Sequence, residues 1–488
     1  MYWVKNDVPA EYDKIRKTTI DHFIDETLKT PNPTDYDLAA VLHAMFKDKF
    51  VCASIKHNIW YEYIGHKWEE IDSGSTLRAC LSKAMHQVYV LRISACVNSI
   101  AMDDKDQVQR KQTHKLLEIT TKLKMKAQKD NIMREAKELF YDKEFTTSVD
   151  TNTYLLCFNN GIVDFKEKVF RDGRPEDYIT KSTQIDYIPL SSASADIVCE
   201  INEFISQLFP VPELREYMMQ HLASCLIGTN SNQTFNIYTG KGRNGKSKLT
   251  DLMTKALGEY KGTVPITLVT QKRNSIGGTS SEIAQLEGVR YAVMQEPSKG
   301  DKINEGIMKE ITGGDPIQGR ALFKDTVTFK PQFKLVVCTN TLFEIDSNDE
   351  GTWRRIRVCD FKSKFTENPV DDDEDNPYQF KVNKNIDEKF DTWKEVWMAM
   401  LVDKAYETGG DVSDCEMVLE PSNKYRISQD YLAKFDKEKI MRSPGCKLRK
   451  TELLHQFKEW YKNEFGTNYT SNFFNGCFNS SSPIFSKI

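Results

Sequence analysis

Between residues 235 and 257 the chain changes from a strand-type to a helix-type pattern. The run Phe235-Asn-Ile-Tyr-Thr239 mixes aromatic and β-branched residues and predicts a short strand. From Lys246 to Leu257 the apolar spacing is helical, and Gly258 supplies a C-cap. Three further buried-strand patterns follow, at Val289 to Glu296, Phe333 to Asn340 and Ile356 to Phe361. Helical spacing also covers Tyr36 to Phe46, Thr76 to Val90 and residues 195–228, and residues 105–143 read as one long charged helix. A β-like patch runs from Asn58 to Trp68, and Asn160-Gly161 between apolar runs predicts a hairpin. Trp393 and Trp397 fall in a helix, as do residues Thr451 to Phe465.

Length sets the scale: 488 residues give a prior of about three domains, each able to bury a core. With 67 basic and 71 acidic residues the net charge is −4, so any nucleic-acid surface must be local. The start, Met1-Tyr-Trp-Val-Lys-Asn-Asp, has no signal-peptide pattern, and apolar runs such as Leu335 to Cys338 are too short to span a bilayer. No membrane partner is expected. The 11 cysteines include no C-x-x-C pair, which fits reduced thiols and a cytosolic or nuclear setting.

Local charge is uneven. Lys105, Arg110, Lys111, Lys115, Lys122, Lys124, Lys126, Lys129, Arg134, Lys137 and Lys143 outnumber the acids of their stretch, as either a solvated helix face or a binding surface. Glu367 to Asp375, flanked by prolines, reads as an exposed acidic loop. Lys434, Lys437, Lys439, Arg442, Lys447, Arg449 and Lys450 concentrate near the last helix, as a small winged-helix-like DNA-binding unit or a solvated face.

The candidate chemistry sits at the first strand-to-helix switch. Gly240-Lys241-Gly242-Arg243-Asn244-Gly245-Lys246-Ser247 matches G-x-x-x-x-G-K-[ST]. Successive backbone N–H groups and a helix N-terminus make an anion cradle there, with Lys246 for the β- and γ-phosphates and Ser247 for Mg²⁺. The implied cofactors are ATP and Mg²⁺. Glu296 ends the second strand pattern, where a carboxylate can orient an attacking water. Asn340 ends the third, where an amide can reach both the γ-phosphate and that water. Arg354 and Arg355 precede the fourth, and a guanidinium suits a transferring phosphoryl group.

Between the second and third strands, Lys309-Glu-Ile-Thr-Gly313-Gly314-Asp315-Pro-Ile-Gln-Gly-Arg320-Ala-Leu-Phe323-Lys324 predicts a helix stopped by two glycines and then a basic hairpin. The Asn244-Gly-Lys-Ser form of the loop, the Thr-Gly-Gly-Asp-x-Ile-x-x-Arg segment and Trp353-Arg-Arg-Ile together resemble the superfamily 3 helicases, a class of AAA+ ATPases. The nearest likeness is to the helicase part of the poxvirus-type helicase-primases of nucleocytoplasmic large DNA viruses. The motifs span about 235 to 361, with weaker likeness back through Phe158-Asn-Asn-Gly161.

This resemblance implies an α/β fold: an AAA+ P-loop core around a parallel central sheet, a mixed α/β N-terminal domain and a mainly helical C-terminal region. The corresponding boundaries are 1–192, a helical collar at 193–232, the ATPase core at 233–366, and 380–488 for a lid and DNA-binding region. It implies nucleotide contacts from residues 240 to 248, Lys248 included, and catalytic roles for Lys246, Glu296, Asn340 and Arg354 or Arg355. Ser247 and Glu296 fall at the metal position. Gln295 stands where many relatives place a second carboxylate, which puts direct carboxylate ligation of Mg²⁺ in doubt. Arg320, Phe323 and Lys324 would grip DNA in the channel of a hexameric ring.

The expected function is therefore an ATP-driven helicase or translocase on single-stranded or forked DNA in viral replication, in the host cytoplasm or the nucleus. The alternative is an AAA+ remodelling or loading factor acting on a protein. An origin-nicking enzyme needs a two-histidine motif, and the eight histidines include no H-x-H pair. No strand-end D-x-D primase site occurs, so a primase domain, like a polymerase, is expected as a partner or on a longer native chain.

Overall fold

The computed structural model describes residues 8–100, 107–270, 280–295, 302–320, 326–345, 349–370, 373–441 and 449–465. The chain divides into two compact units. One comprises residues up to Thr151 with returns at 160–162 and 171–181, and the other holds 152–159, 163–170 and everything from Ser182.

In the first unit, a core of Leu38, Leu42, Trp60, Tyr89, Ile119 and Ile132 lies among helices and a three-stranded antiparallel sheet, Phe50–Ser54, Ile59–Ile64 and Lys67–Asp72. Helix Asp35–Phe46 starts where Thr34 and Asp37 form a reciprocal capping box. The helix expected over Thr76 to Val90 carries a π-helical turn at Leu81–Met85 and continues to Ile100. The single helix expected over 105–143 is two, Gln107–Lys122 and Lys126–Leu139. Its break has a packing cause. Leu116, Ile119 and Leu123 on one side of the turn and Ile132, Met133 and Ala136 on the other all reach the same core, so the chain must fold back.

The expected hairpin forms between Leu155–Phe158 and Gly161–Asp164, but Asn159 and Asn160 make the turn. Gly161, at φ 156°, is the first residue of the second strand.

The second unit is built on five parallel strands: β1 (Phe235–Thr239), β2 (Lys261–Val264), β3 (Tyr291–Gln295), β4 (Lys334–Cys338) and β5 (Ile356–Asp360). Their order is β5-β1-β4-β3-β2. Both faces are covered, which is why the strands read as nearly continuous apolar runs. Ile237, Met294, Val337 and Val358 pack with Ile307, Met308 and Ile311 of helix Glu305–Gly313. Tyr238, Val293, Val336 and Cys359 face Leu249, Leu252 and Met253 of helix Lys246–Leu257, along with Trp397 of helix Ile386–Thr408. Alternate residues of each strand thus belong to different cores, as the two-residue period requires.

The C-terminal region is mainly helical, as expected. Its last two described helices, Tyr431–Lys439 and Lys450–Phe465, share a small cluster of Phe435, Phe457, Trp460 and Tyr461. No helix among the described residues is long and apolar enough to cross a membrane.

Candidate active site

In a parallel sheet every strand ends at the same edge, and that edge gathers the loop residues. β1 runs into the loop 240–245, and helix Lys246–Leu257 begins immediately after, as the sequence predicts. Gly240 (φ 156°), Gly242 (82°), Arg243 (52°) and Gly245 (83°) all have positive φ, which curls the backbone into a concavity suited to an anion. Two glycines are fixed by space as well. A Cβ on Gly240 would lie 2.0 Å from Asn244 Nδ2, and one on Gly245 would lie 2.2 Å from Leu208 Cδ2. Asn244 is buried, and its Nδ2 has no hydrogen-bond partner among the described residues.

Lys246 is 8% exposed, and its Nζ donates to the Gly240 carbonyl at 3.2 Å and to Asn340 Oδ1 at 3.0 Å. Both acceptors are neutral. A largely buried ammonium at the mouth of an N–H-lined concavity suits a phosphate group. Asn340 is brought there by the segment after β4. The Thr339 amide donates to the Tyr238 carbonyl at 3.0 Å, extending the β1–β4 ladder. Thr339 Oγ1 accepts from the Thr341 amide at 3.0 Å and donates to the Thr341 carbonyl at 2.5 Å. Sequence reasoning did not find this threonine clasp, since a Thr-Asn-Thr run at a strand end carries no motif. Cys338, at the end of β4, has its thiol pushed up to about 11 by burial, with Lys246 pulling the other way, so it stays protonated.

Ser247 is exposed at the helix N-terminus, and its carbonyl accepts from Thr250 Oγ1 at 2.8 Å. The Lys248 side chain leads away from the loop, donating to both carboxylate oxygens of Asp387 at 2.7 Å. Beside the loop a cavity of about 1190 Å³ is lined by Arg243, Gly245 and Lys248 and by Phe204, Phe365 and Trp393. Phe365 is placed by its amide, which donates to the Arg243 carbonyl at 2.8 Å. Several cations of the cavity wall are neutralised, Lys389 by Glu200 at 3.0 Å and Lys384 by Glu367 at 2.7 Å. Arg243 and Lys381 pair with no carboxylate among the described residues, so the cavity keeps positive charge beside its aromatic rings.

Arg354 and Arg355 lie at the opposite edge. The Phe235 amide donates to the Arg355 carbonyl at 2.7 Å, and β5 pairs with β1 from Ile356↔Phe235 to Asp360↔Thr239. At about 3.3 Å per residue, the five-residue strand puts roughly 16 Å between these arginines and the loop. Gln233 Oε1 accepts from both, from Arg354 Nη2 at 2.8 Å and Arg355 Nη2 at 3.0 Å. Arg355 is buried and also donates to the Gly351 carbonyl at 2.6 Å, whereas Arg354 is exposed. Gln233, absent from the sequence reading, is the residue that holds the pair.

Arg320 is exposed at the end of strand Ile317–Arg320, which pairs antiparallel with Thr326–Phe329. The hairpin is anchored where the Arg320 amide donates to Ser280 Oγ at 3.1 Å and the Ser280 amide to the Arg320 carbonyl at 3.0 Å. Glu296, Phe323 and Lys324 lie outside the described residues, and Gln295 is described only as the last residue of β3.

The fold class is a mixed α/β protein on a parallel five-stranded sheet. Residues 39–210 match the family described as D5 N terminal like, and residues 238–355 match a family of unknown function (DUF5906). A protein of Acanthamoeba polyphaga mimivirus, provisionally named a helicase, is 33% identical over 475 residues, covering 95% of this chain and 49% of that protein. A protein of African swine fever virus, provisionally named a primase, is 25% identical over 495 residues, covering 94% of this chain and 51% of that protein. Among solved structures, the apo C-terminal region of NrS-1 overlaps 52% of this chain and 59% of its own at 14% identity, with a TM-score of 0.37. Residues 39–210 thus carry the D5 N terminal like domain, and the chain as a whole is similar to helicase- and primase-named proteins of nucleocytoplasmic large DNA viruses. It spans about half the length of the curated relatives it matches.

Proposed function

We propose that this chain is the motor portion of a viral replicative helicase-primase, hydrolysing ATP with Mg²⁺ at the 240–247 loop and using it to move along single-stranded or forked DNA. The observation that carries this reading is the convergence of Lys246 and Asn340 on the phosphate-shaped concavity. Bound ATP and Mg²⁺ supply the scissile phosphoanhydride and a counter-charge for it. Lys246 would reach the β- and γ-phosphate oxygens, and Asn340 would orient the γ-phosphate and the attacking water. Glu296 would accept the proton of that water, and Ser247 Oγ would be the protein's ligand to the metal.

In the same reading the ring is hexameric. A finger some 16 Å from its own loop cannot complete its own site, and repeating one interface by rotation delivers it to the neighbour. Arg354, exposed, takes that role, while Arg355 supports the turn. The 317–329 hairpin, with Arg320, Phe323 and Lys324, grips the strand through phosphate contacts and stacking. A primase domain or a polymerase is the proposed partner, and the host cytoplasm or nucleus the place of action.

The test is ATP hydrolysis by the full chain with and without single-stranded DNA. Hydrolysis stimulated by the strand and abolished by Lys246→Ala supports the motor. Hydrolysis indifferent to DNA supports the remodelling or loading factor instead.

A further inference from the structure

The basic stretch that follows the first-unit sheet finds no role in the ATPase reading. Its charge is concentrated at the turn between helices Gln107–Lys122 and Lys126–Leu139. From Ile119 to Lys129 there are four lysines, Lys122, Lys124, Lys126 and Lys129, and no acidic residue. The carboxylates flanking this run are engaged elsewhere: Glu118 lies 3.3 Å from His114, and Asp130 pairs with Arg78 at 2.7 Å. Among the described residues none of the four lysines forms an ion pair, although Lys248, Lys255, Lys389 and Lys404 all do.

Geometry keeps the lysines outward. Leu116, Ile119, Leu123, Ile132 and Met133 fill the core side of both helices, leaving Lys124 and Lys126 exposed and Lys122 and Lys129 partly so. The turn is braced from a second direction by the π-helical segment. There the Ser82 carbonyl accepts from Lys124 Nζ at 2.7 Å, and Ser82 Oγ donates to the Leu123 carbonyl at 3.0 Å. Lys83 of the same segment is exposed and also unpaired with any carboxylate among the described residues. A braced turn bearing unneutralised cations is a preorganised anion surface, and uncompensated positive charge is otherwise a cost to the folded chain.

We propose that this lysine turn docks on the phosphate backbone of duplex DNA. The choice of duplex follows from what the stretch lacks. Residues 107–139 contain no Phe, Tyr or Trp, whereas surfaces for unstacked single strands combine cations with aromatic platforms. Phosphate contacts from lysines alone give sequence-independent grip on a regular backbone. The proposal rests on the reading that the chain works on DNA, but not on the ATPase site.

The experiment compares the full chain with a Lys122→Ala/Lys126→Ala/Lys129→Ala variant and its all-arginine counterpart. Each is titrated with salt against a short random-sequence duplex and against oligo-dT, with ATPase and melting temperature recorded. Lys124 is spared because it braces the turn. Each lost phosphate contact lowers the salt slope on duplex by about 0.9, so the alanine variant loses about 2.7. The arginine variant keeps the wild-type slope, oligo-dT binding is retained, and basal ATPase and melting are unchanged. An unchanged duplex slope in the alanine variant overturns the proposal, as does an equal loss on both probes. Wild-type protein that binds neither probe defeats the DNA-directed reading itself.

Discussion

Lys246 Nζ lies 3.0 Å from Asn340 Oδ1, joining the loop after β1 to the segment after β4 across adjacent strands. In the proposed function this contact ties a phosphate-reaching cation to a water-orienting amide, so the two residues should fail differently. Lys246→Ala removes the charge and should lower nucleotide affinity and abolish hydrolysis. Asn340→Ala should keep nucleotide binding, measured by fluorescent-analogue titration, while turnover falls on the order of 10²-fold or more. Equal affinity losses in both variants would show that Asn340 serves binding rather than the chemical step.

The two arginines before β5 also separate. Arg354→Ala should leave the melting temperature near wild type and lower ATPase by about 10³-fold, since an arginine finger is worth about 10³ to 10⁵. Arg355→Ala should mainly destabilise, because its guanidinium is buried against Gly351 and Gln233. The loss should be on the order of 1–3 kcal/mol. Mixing Lys246→Ala with Arg354→Ala protein should restore some hydrolysis, as one contributes an intact finger and the other an intact loop. Mixed assemblies without recovered activity would argue for a site completed within one chain.

Gly245 cannot carry a side chain unless the Leu208 side chain gives way. Gly245→Ala puts a methyl at φ 83° and 2.2 Å from Leu208 Cδ2. The substitution should cost about 1–3 kcal/mol and open the loop. Nucleotide affinity should fall with it, and Gly245→Ala/Leu208→Ala should recover part of the affinity by relieving the clash. Gly242, whose Cβ would meet nothing within 4 Å, supplies the comparison for backbone strain alone.

A pH effect arises from His221, buried beneath the sheet between Tyr217 and Tyr238. Burial, reinforced by Lys334, lowers its pKa from 6.5 to about 3. Between these values the unfolded chain binds the proton and the folded chain does not, so stability falls as pH drops from 6.5 towards 3. The slope reaches up to about 1.4 kcal/mol per pH unit. His221→Phe should flatten that part of the denaturation profile. An identical acid profile in the variant would remove His221 as the cause.

Much of this site was legible because its chemistry is local in sequence. The loop, its strand and its helix follow one another, so Gly240 to Ser247 could be read directly, and four of the five core strands declared themselves by apolar runs, whereas the short edge strand β2, Lys261-Gly-Thr-Val264, has no such run. What stayed hidden depends on distant partners. Nothing in the sequence couples Gln233 to Arg354 and Arg355 or selects the exposed arginine of the two. Lys248 reads as part of the phosphate loop, yet its partner, Asp387, is 139 residues away. The break between Lys122 and Lys126 contains neither Gly nor Pro and is dictated by which apolar residues share a core.

The central claim is that hydrolysis at the Lys246 loop drives strand separation, and a strand-displacement assay on a forked duplex tests it most directly. Wild-type protein with ATP and Mg²⁺ should release the displaced strand, and Lys246→Ala should bind the fork without releasing it. Displacement by Lys246→Ala at the wild-type rate, or none by a wild-type protein that hydrolyses ATP on the same fork, would contradict the account.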